Sequence, residues 1–163
     1  MHEKLHLLSV NGTQNLHADN RSLAHVERGN QDQHMRSDMN LEETNNATAV
    51  TQDVLAHHLE CLGKLDLAGT MADYGDDSTL FTPDGLLRGS AALRRFFAEL
   101  FEEFAKPGMS YELLRQEVSG DIAYIVWTAE TADNRFEVAS DTFIIQNGKI
   151  AIQTFAGKIS PKR

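Results

Sequence analysis

The first 50 residues contain no phenylalanine, tryptophan or tyrosine; the aromatic side chains begin only at Tyr74. A segment without them lacks the residues that bury the most area each, so the core is expected to start near Thr51. The same segment is rich in Asn, Gln and His, and its apolar clusters, such as Leu5-His6-Leu7-Leu8, are too short for a membrane span or a signal h-region. Disorder or a fraying helix is the expectation for 1–50. Asn-X-Ser/Thr triplets at Asn11, Asn20 and Asn46 then read as chance in an Asn-rich stretch.

Cysteine is nearly absent. The lone Cys61 excludes an internal disulfide and fits a reducing, cytoplasmic setting. Positive charge is also scarce: 15 Lys and Arg against 24 Asp and Glu give a net charge of −9, of which −3 falls in residues 1–50 and −6 in the remainder. Such a surface disfavours nucleic acid as a partner, because phosphate contacts need basic groups. There is no Gly-rich phosphate loop and no nucleophile elbow. Asp76-Asp77 lacks a third ligand at useful spacing, and His2 and His6 make a weak two-ligand pair, so neither metal nor organic cofactor is expected.

What is present suffices for one core: 163 residues, 41% of them hydrophobic. The expected organisation is a polar tail over 1–50 and one domain over 51–163. Thr51 is a candidate N-cap for a helix to about Lys64, and Asp66 caps a second with Leu67, Met71 and Tyr74 on its apolar side. Ser78 to Thr82 is a strand that stops at Pro83-Asp84-Gly85. Gly89-Ser90 opens a third helix, whose Leu93, Phe96, Phe97, Leu100, Phe101 and Phe104 share one face.

After Pro107-Gly108 four strands follow, about 109–119, 122–131, 135–146 and 149–159, separated by turns short enough for an antiparallel meander. Asn147-Gly148 is a type I′ turn signal and sets a register. If Gln146 pairs with Lys149, then Ile145 meets Ile150, Phe143 meets Ile152 and Asp141 meets Thr154. One face then carries Asp141, Phe143, Ile145, Ile150, Ile152 and Thr154, and Gln153 and Phe155 fall on the other.

Four pieces, DLAGTMADY, DDSTLFTPDG, RGSAALRRFF and SDTFIIQNGKIAIQTFAGKI, together resemble the nuclear transport factor 2-like superfamily. More narrowly, they resemble its SnoaL-like branch, with polyketide cyclases and relatives of ketosteroid isomerase. The resemblance runs from about Thr51 to Ile159. It implies an α+β cone: about three N-terminal helices on a curved antiparallel sheet made of a short strand pair and a four-stranded meander, enclosing a pocket.

Two polar residues stand out. The hairpin register puts the Asp141 carboxylate on an apolar face, where burial raises its pKa toward the range useful for acid-base work. The alternative is an acid at a wet strand end, bonded to Thr154 or a backbone amide. His58 lies at the centre of a helical stripe of Val54, Leu55, Leu62 and Leu65, either as a proton shuttle or as a core histidine with a fixed partner. The resemblance puts Asp141 and His58 where ketosteroid isomerase has its oxyanion-hole aspartic acid and tyrosine. It puts Thr82 where that enzyme has its general-base aspartate, a departure that argues against the same isomerisation. Tyr74, Phe81, Thr82, Trp127, Thr128, Phe143 and Thr154 are the candidate lining. The strand pattern leaves open which way Trp127 faces.

Two functions are compatible with these features. One is a cofactor-independent isomerase, cyclase or dehydratase acting on a small apolar carbonyl compound through Asp141 and His58. The other is a non-catalytic ligand-binding or association module. A homodimer through the sheet is expected, with Ile144, Ala151 and Phe155 on the contact face.

Overall fold

The computed structural model describes residues 20–162, with side-chain surroundings from residue 33 onward. His2, His6, the Leu5–Leu8 cluster and Asn11 lie outside the described residues. By internal contacts the chain divides after Met39 into two compact units. In the first unit residues 33–39 are helical and exposed. The second unit carries the rest of the fold.

Helix α1 (Asn20–Gly63) runs unbroken through Thr51, which is therefore not an N-cap. Thr51 is buried, and its hydroxyl donates to the Gly120 carbonyl at 2.8 Å. One turn earlier the Thr48 hydroxyl accepts the Gly120 N–H at 2.9 Å. The two threonines lie three apart on one helix face and clasp a hairpin turn instead of capping their own helix. Helix α2 (Leu67–Ala72) is capped by Asp66 as expected, with the carboxylate accepting the Gly69 N–H at 2.9 Å. It ends earlier than its apolar pattern suggests. Tyr74 is not on the helix but opens strand β1 (Tyr74–Thr82).

Strand β2 (Gly85–Arg88) returns from the Pro83-Asp84-Gly85 turn, and helix α3 (Ser90–Phe104) buries Leu93, Phe97 and Phe101. Strands β3 (Ser110–Ser119), β4 (Ile122–Glu130), β5 (Asn134–Gln146) and β6 (Lys149–Pro161) form the meander. The six strands make one sheet in the order β2-β1-β6-β5-β4-β3. One pairing departs from the antiparallel expectation: β1 runs parallel to β6, with Leu80 opposite Gln153. A parallel pair needs a long crossover rather than a hairpin, and here the chain from β2 to β5 supplies it. Leu55 of α1 and Leu93 and Phe97 of α3 pack with Leu80, Phe143 and Ile150 of the sheet in one core.

The last hairpin carries the main correction. Asn147 and Gly148 both take positive φ, 52° and 70°, and Gln146 pairs with Lys149 and Ile145 with Ile150, as read from the sequence. A bulge follows, because Ile144 pairs with Ile152 and leaves Ala151 over. Beyond it Phe143 meets Gln153 rather than Ile152, and Asp141 meets Phe155 rather than Thr154. Since side chains alternate with period two, one extra residue exchanges the faces. Gln153 turns into the core and Phe155 packs on Trp127, while Thr154 is exposed. Phe155 is therefore not on the outer face. On β4, Ala123, Ile125 and Trp127 are buried, which settles the facing of Trp127.

Candidate functional site

His58 reaches the interior because it shares the inward stripe of α1 with Leu55; it is fully buried. Its ring meets Phe97 and Phe143 edge-on, and its two nitrogens find polar partners. Nδ1 lies 3.2 Å from Oδ2 of Asp73, the residue between α2 and β1. The other Asp73 oxygen is 2.7 Å from Nδ1 of the half-exposed His57. A carboxylate only accepts, so both imidazoles present N–H to Asp73. Nε2 of His58 lies 3.4 Å from the Tyr74 hydroxyl.

From Tyr74 the chain continues across the sheet. Its hydroxyl donates to Oε1 of Gln153, and Nε2 of Gln153 donates to Oδ1 of Asp141 at 2.8 Å. Oδ2 of Asp141 accepts the Trp127 indole N–H at 2.7 Å. Every link from His57 to Trp127 is a side-chain hydrogen bond, and all these residues except His57 are buried. Burial pushes the Asp141 carboxyl above its usual range, an effect that the Trp127 and Gln153 hydrogen bonds and the His58 charge offset only in part. Burial, helped by the charges of Asp141 and Asp73, holds the Tyr74 hydroxyl well above its normal pKa.

Trp127 connects this chain to a surface cleft of ≈ 550 Å³. Its ring centre lies 5.8 Å from that of Tyr111 and 5.5 Å from that of Phe136, and both residues line the cleft together with Thr128, Ala129 and the charged Glu112, Glu130, Arg135 and Glu137. The Tyr111 hydroxyl is pushed up to about 12 by burial and by the charge of Asp141. At neutral pH it remains a proton donor at the cleft wall.

The candidate residues thus fall into two sets. Asp141, His58, Tyr74, Trp127 and Phe143 come together in the interior, and Thr128 lines the cleft. Phe81 is about half exposed on β1, and Thr154 is on the outer surface. Thr82 is occupied by its own turn: its hydroxyl donates to the Gly85 carbonyl at 3.0 Å and accepts the Asp84 N–H at 3.2 Å. Those three do not join the site. Gln153, Asp73, His57 and Tyr111 are members that the sequence reading missed. The Gln153 error follows from the bulge, and Asp73 was hidden because an acid at a helix end looks solvated. Among the described residues no group of three or more His, Cys, Asp or Glu side chains is arranged to hold a metal ion. No described helix is long and apolar enough to cross a membrane.

Comparison with known proteins places the architecture. The family model described as the SnoaL-like domain matches residues 55–153. An NTF2-like protein of unknown function from Mesorhizobium loti superposes with TM-score 0.60 at 20% identity, covering 68% of this chain and 93% of that one. A candidate ketosteroid isomerase from Kribbella flavida gives 0.58 at 18% identity over 68% and 79% of the two chains. A candidate polyketide cyclase from Sinorhizobium meliloti gives 0.55 at 17% over 64% and 94%. At these identities the solved structures speak for the fold alone, the α+β cone of the NTF2-like superfamily. No curated protein matches the sequence significantly.

Proposed function

The chain belongs to the SnoaL-like family, and from that premise we propose that it binds a small apolar carbonyl compound in the cleft and moves protons on it through Asp141. The observation that carries this reading is a nearly buried carboxyl with a raised pKa, joined by one hydrogen bond to the indole packed against Tyr111 and Phe136, the two aromatic residues in the wall of an otherwise largely polar cleft. In this reading the Tyr111 hydroxyl donates a hydrogen bond to the carbonyl oxygen, where negative charge develops as a proton leaves the neighbouring carbon. Asp141 exchanges that proton, and Trp127, held between Tyr111, Phe136 and Phe155, turns aside to free Oδ2. Isomerisation, cyclisation and dehydration all begin with such a step. The steroid-type base is not part of the scheme, since the Thr82 hydroxyl is engaged in its turn.

The test is wash-in of solvent deuterium next to the carbonyl across a panel of cyclic and acyclic ketones. Exchange that disappears in Asp141→Asn supports the reading. Equal exchange in both proteins, or none above the uncatalysed rate, sinks it.

The outer face of the sheet favours a second reading, a non-catalytic dimeric module. Ile122, Ile144 and Ile152 stand opposite one another on three adjacent strands, next to Tyr124, and Ile122 and Tyr124 are exposed. Such a row suits a two-fold contact between copies. Ile144→Arg is then expected to shift the protein from dimer to monomer in sedimentation without lowering its melting temperature. A monomeric parent protein at tens of micromolar, about the range where a weak dimer would still form, removes this reading.

A further inference from the structure

The chain from His58 to Asp141 admits two complete sets of hydrogen bonds. Its outer ends are fixed: Asp73 can only accept from His58 Nδ1, and the Trp127 indole can only donate to Asp141. In between stand the His58 Nε2, one hydroxyl and one amide, three groups whose direction can reverse.

With Asp141 ionised, the Gln153 NH₂ donates to it and the Gln153 oxygen faces Tyr74. Tyr74 must then donate to that oxygen and can only accept from His58, so His58 carries a proton on Nε2 as well as on Nδ1. With Asp141 protonated, the amide turns over. The acid donates to the Gln153 oxygen, the Gln153 NH₂ donates to the Tyr74 oxygen, and Tyr74 donates to a bare Nε2 on a neutral His58. Any mixed arrangement leaves two lone pairs or two protons facing each other out of water, where an unsatisfied polar group is costly.

We propose that His58 and Asp141 share a single proton through Tyr74 and Gln153, so that one is protonated only when the other is not. Both arrangements hold the same number of protons. What differs is which buried group bears the extra one, the Nε2 of His58 or an oxygen of Asp141. Gln153 is the positioning residue that enforces the exchange by its amide orientation. The titratable groups facing the His58 ring are Asp73 between α2 and β1, Tyr74 of β1 and Asp141 of β5, with His57 beside it on α1; α3 contributes only the Phe97 ring. The inference rests on Asp141 as the acid-base group of the proposed function and adds to it a residue that sets its protonation.

The experiment reads the His58 ring, not turnover, so the two can fail separately. Nitrogen-15 spectra of the full chain labelled at histidine count the protons on each imidazole nitrogen. In Asp141→Asn the Trp127 indole claims the side-chain oxygen, which leaves the NH₂ to donate to Gln153 and locks the second arrangement. In the structure the Gln153 NH₂ donates to Asp141, the arrangement with Asp141 ionised, so His58 is expected to show both ring protons in the parent protein and to lose the Nε2 proton in Asp141→Asn. In a Gln153→Met background the same substitution is expected to leave the ring unchanged. If Gln153→Met does not fold, Tyr74→Phe cuts the chain one link earlier and keeps its shape. An identical His58 ring in parent and Asp141→Asn overturns the proposal, and so does a change that persists when the chain is cut, since simple charge repulsion would then explain it.

Discussion

Two carboxylates on this molecule are held by neighbouring donors and respond in opposite ways. Glu103, at the end of α3, accepts from the Thr131 hydroxyl, from the Asn134 amide at 2.8 Å and from the Lys106 ammonium at 2.6 Å. Its pKa falls to about 2. Asp141 accepts from Trp127 and Gln153, and its pKa nevertheless rises. Hydrogen bonds lower both carboxyls: three of them, that from Lys106 first, outweigh the small loss of hydration at Glu103, whereas at Asp141 burial outweighs the two donated by Trp127 and Gln153. What decides the direction is how much hydration the hydrogen bonds have to replace.

The largest effect should come from removing the buried acceptor outright. Asp141→Leu leaves the Trp127 indole and the Gln153 amide buried without a partner, and chemical denaturation should show a loss of about 2–5 kcal/mol. Asp141→Asn keeps an oxygen for Trp127 and should lose far less. If the two substitutions cost the same, the donors around Asp141 are not what the fold depends on.

Next in size is a pair of pH responses with opposite slopes. Glu103 binds protons less tightly folded than unfolded, so the stability it adds is complete above its unfolded pKa near 4.5 and is lost as the pH falls toward 2. The melting temperature of Glu103→Gln should therefore lie below that of the parent at neutral pH and approach it in acid. Asp141 binds its proton more tightly when folded, so it costs stability as the pH rises through its raised pKa. The gap between Asp141→Asn and the parent should move in favour of the variant as the pH rises. Parallel curves for the two variants would erase the contrast between the sites.

The smallest effect concerns a polar contact of intermediate exposure. Thr48→Val removes the acceptor for the Gly120 N–H and should cost about 1 kcal/mol, between the buried and the open cases. A neutral outcome would mean that water replaces the hydroxyl at this turn.

Much of this was visible in the residues. The amphipathic α3, the Asp66 cap, the four meander strands and the Asn147-Gly148 turn each carry a local signal, and each formed as read. Asp141 and His58 were legible for the same reason: a charged or titratable side chain at an apolar position of a regular period. Gln153 was not, since nothing near Ala151 announces a bulge, and the period is decisive only while the count holds. The start of α1 was hidden by composition, because Asn, Thr and His are weak helix formers whose partner here, Gly120, lies some 70 positions on. The link from Tyr74 to Gln153 spans a parallel pairing, which no local pattern encodes.

That parallel pairing also sets an order on synthesis. Strand β1 leaves the ribosome early, yet its neighbours are the four-residue β2 and the last strand, β6. Until β6 has emerged, one side of β1 has no strand beside it, and the Tyr74 end of the buried chain has no glutamine to meet. The sheet therefore closes from its C-terminal end backward, and the nascent protein carries an unpaired strand edge from the emergence of β1 until that of β6, the interval in which a chaperone would find it.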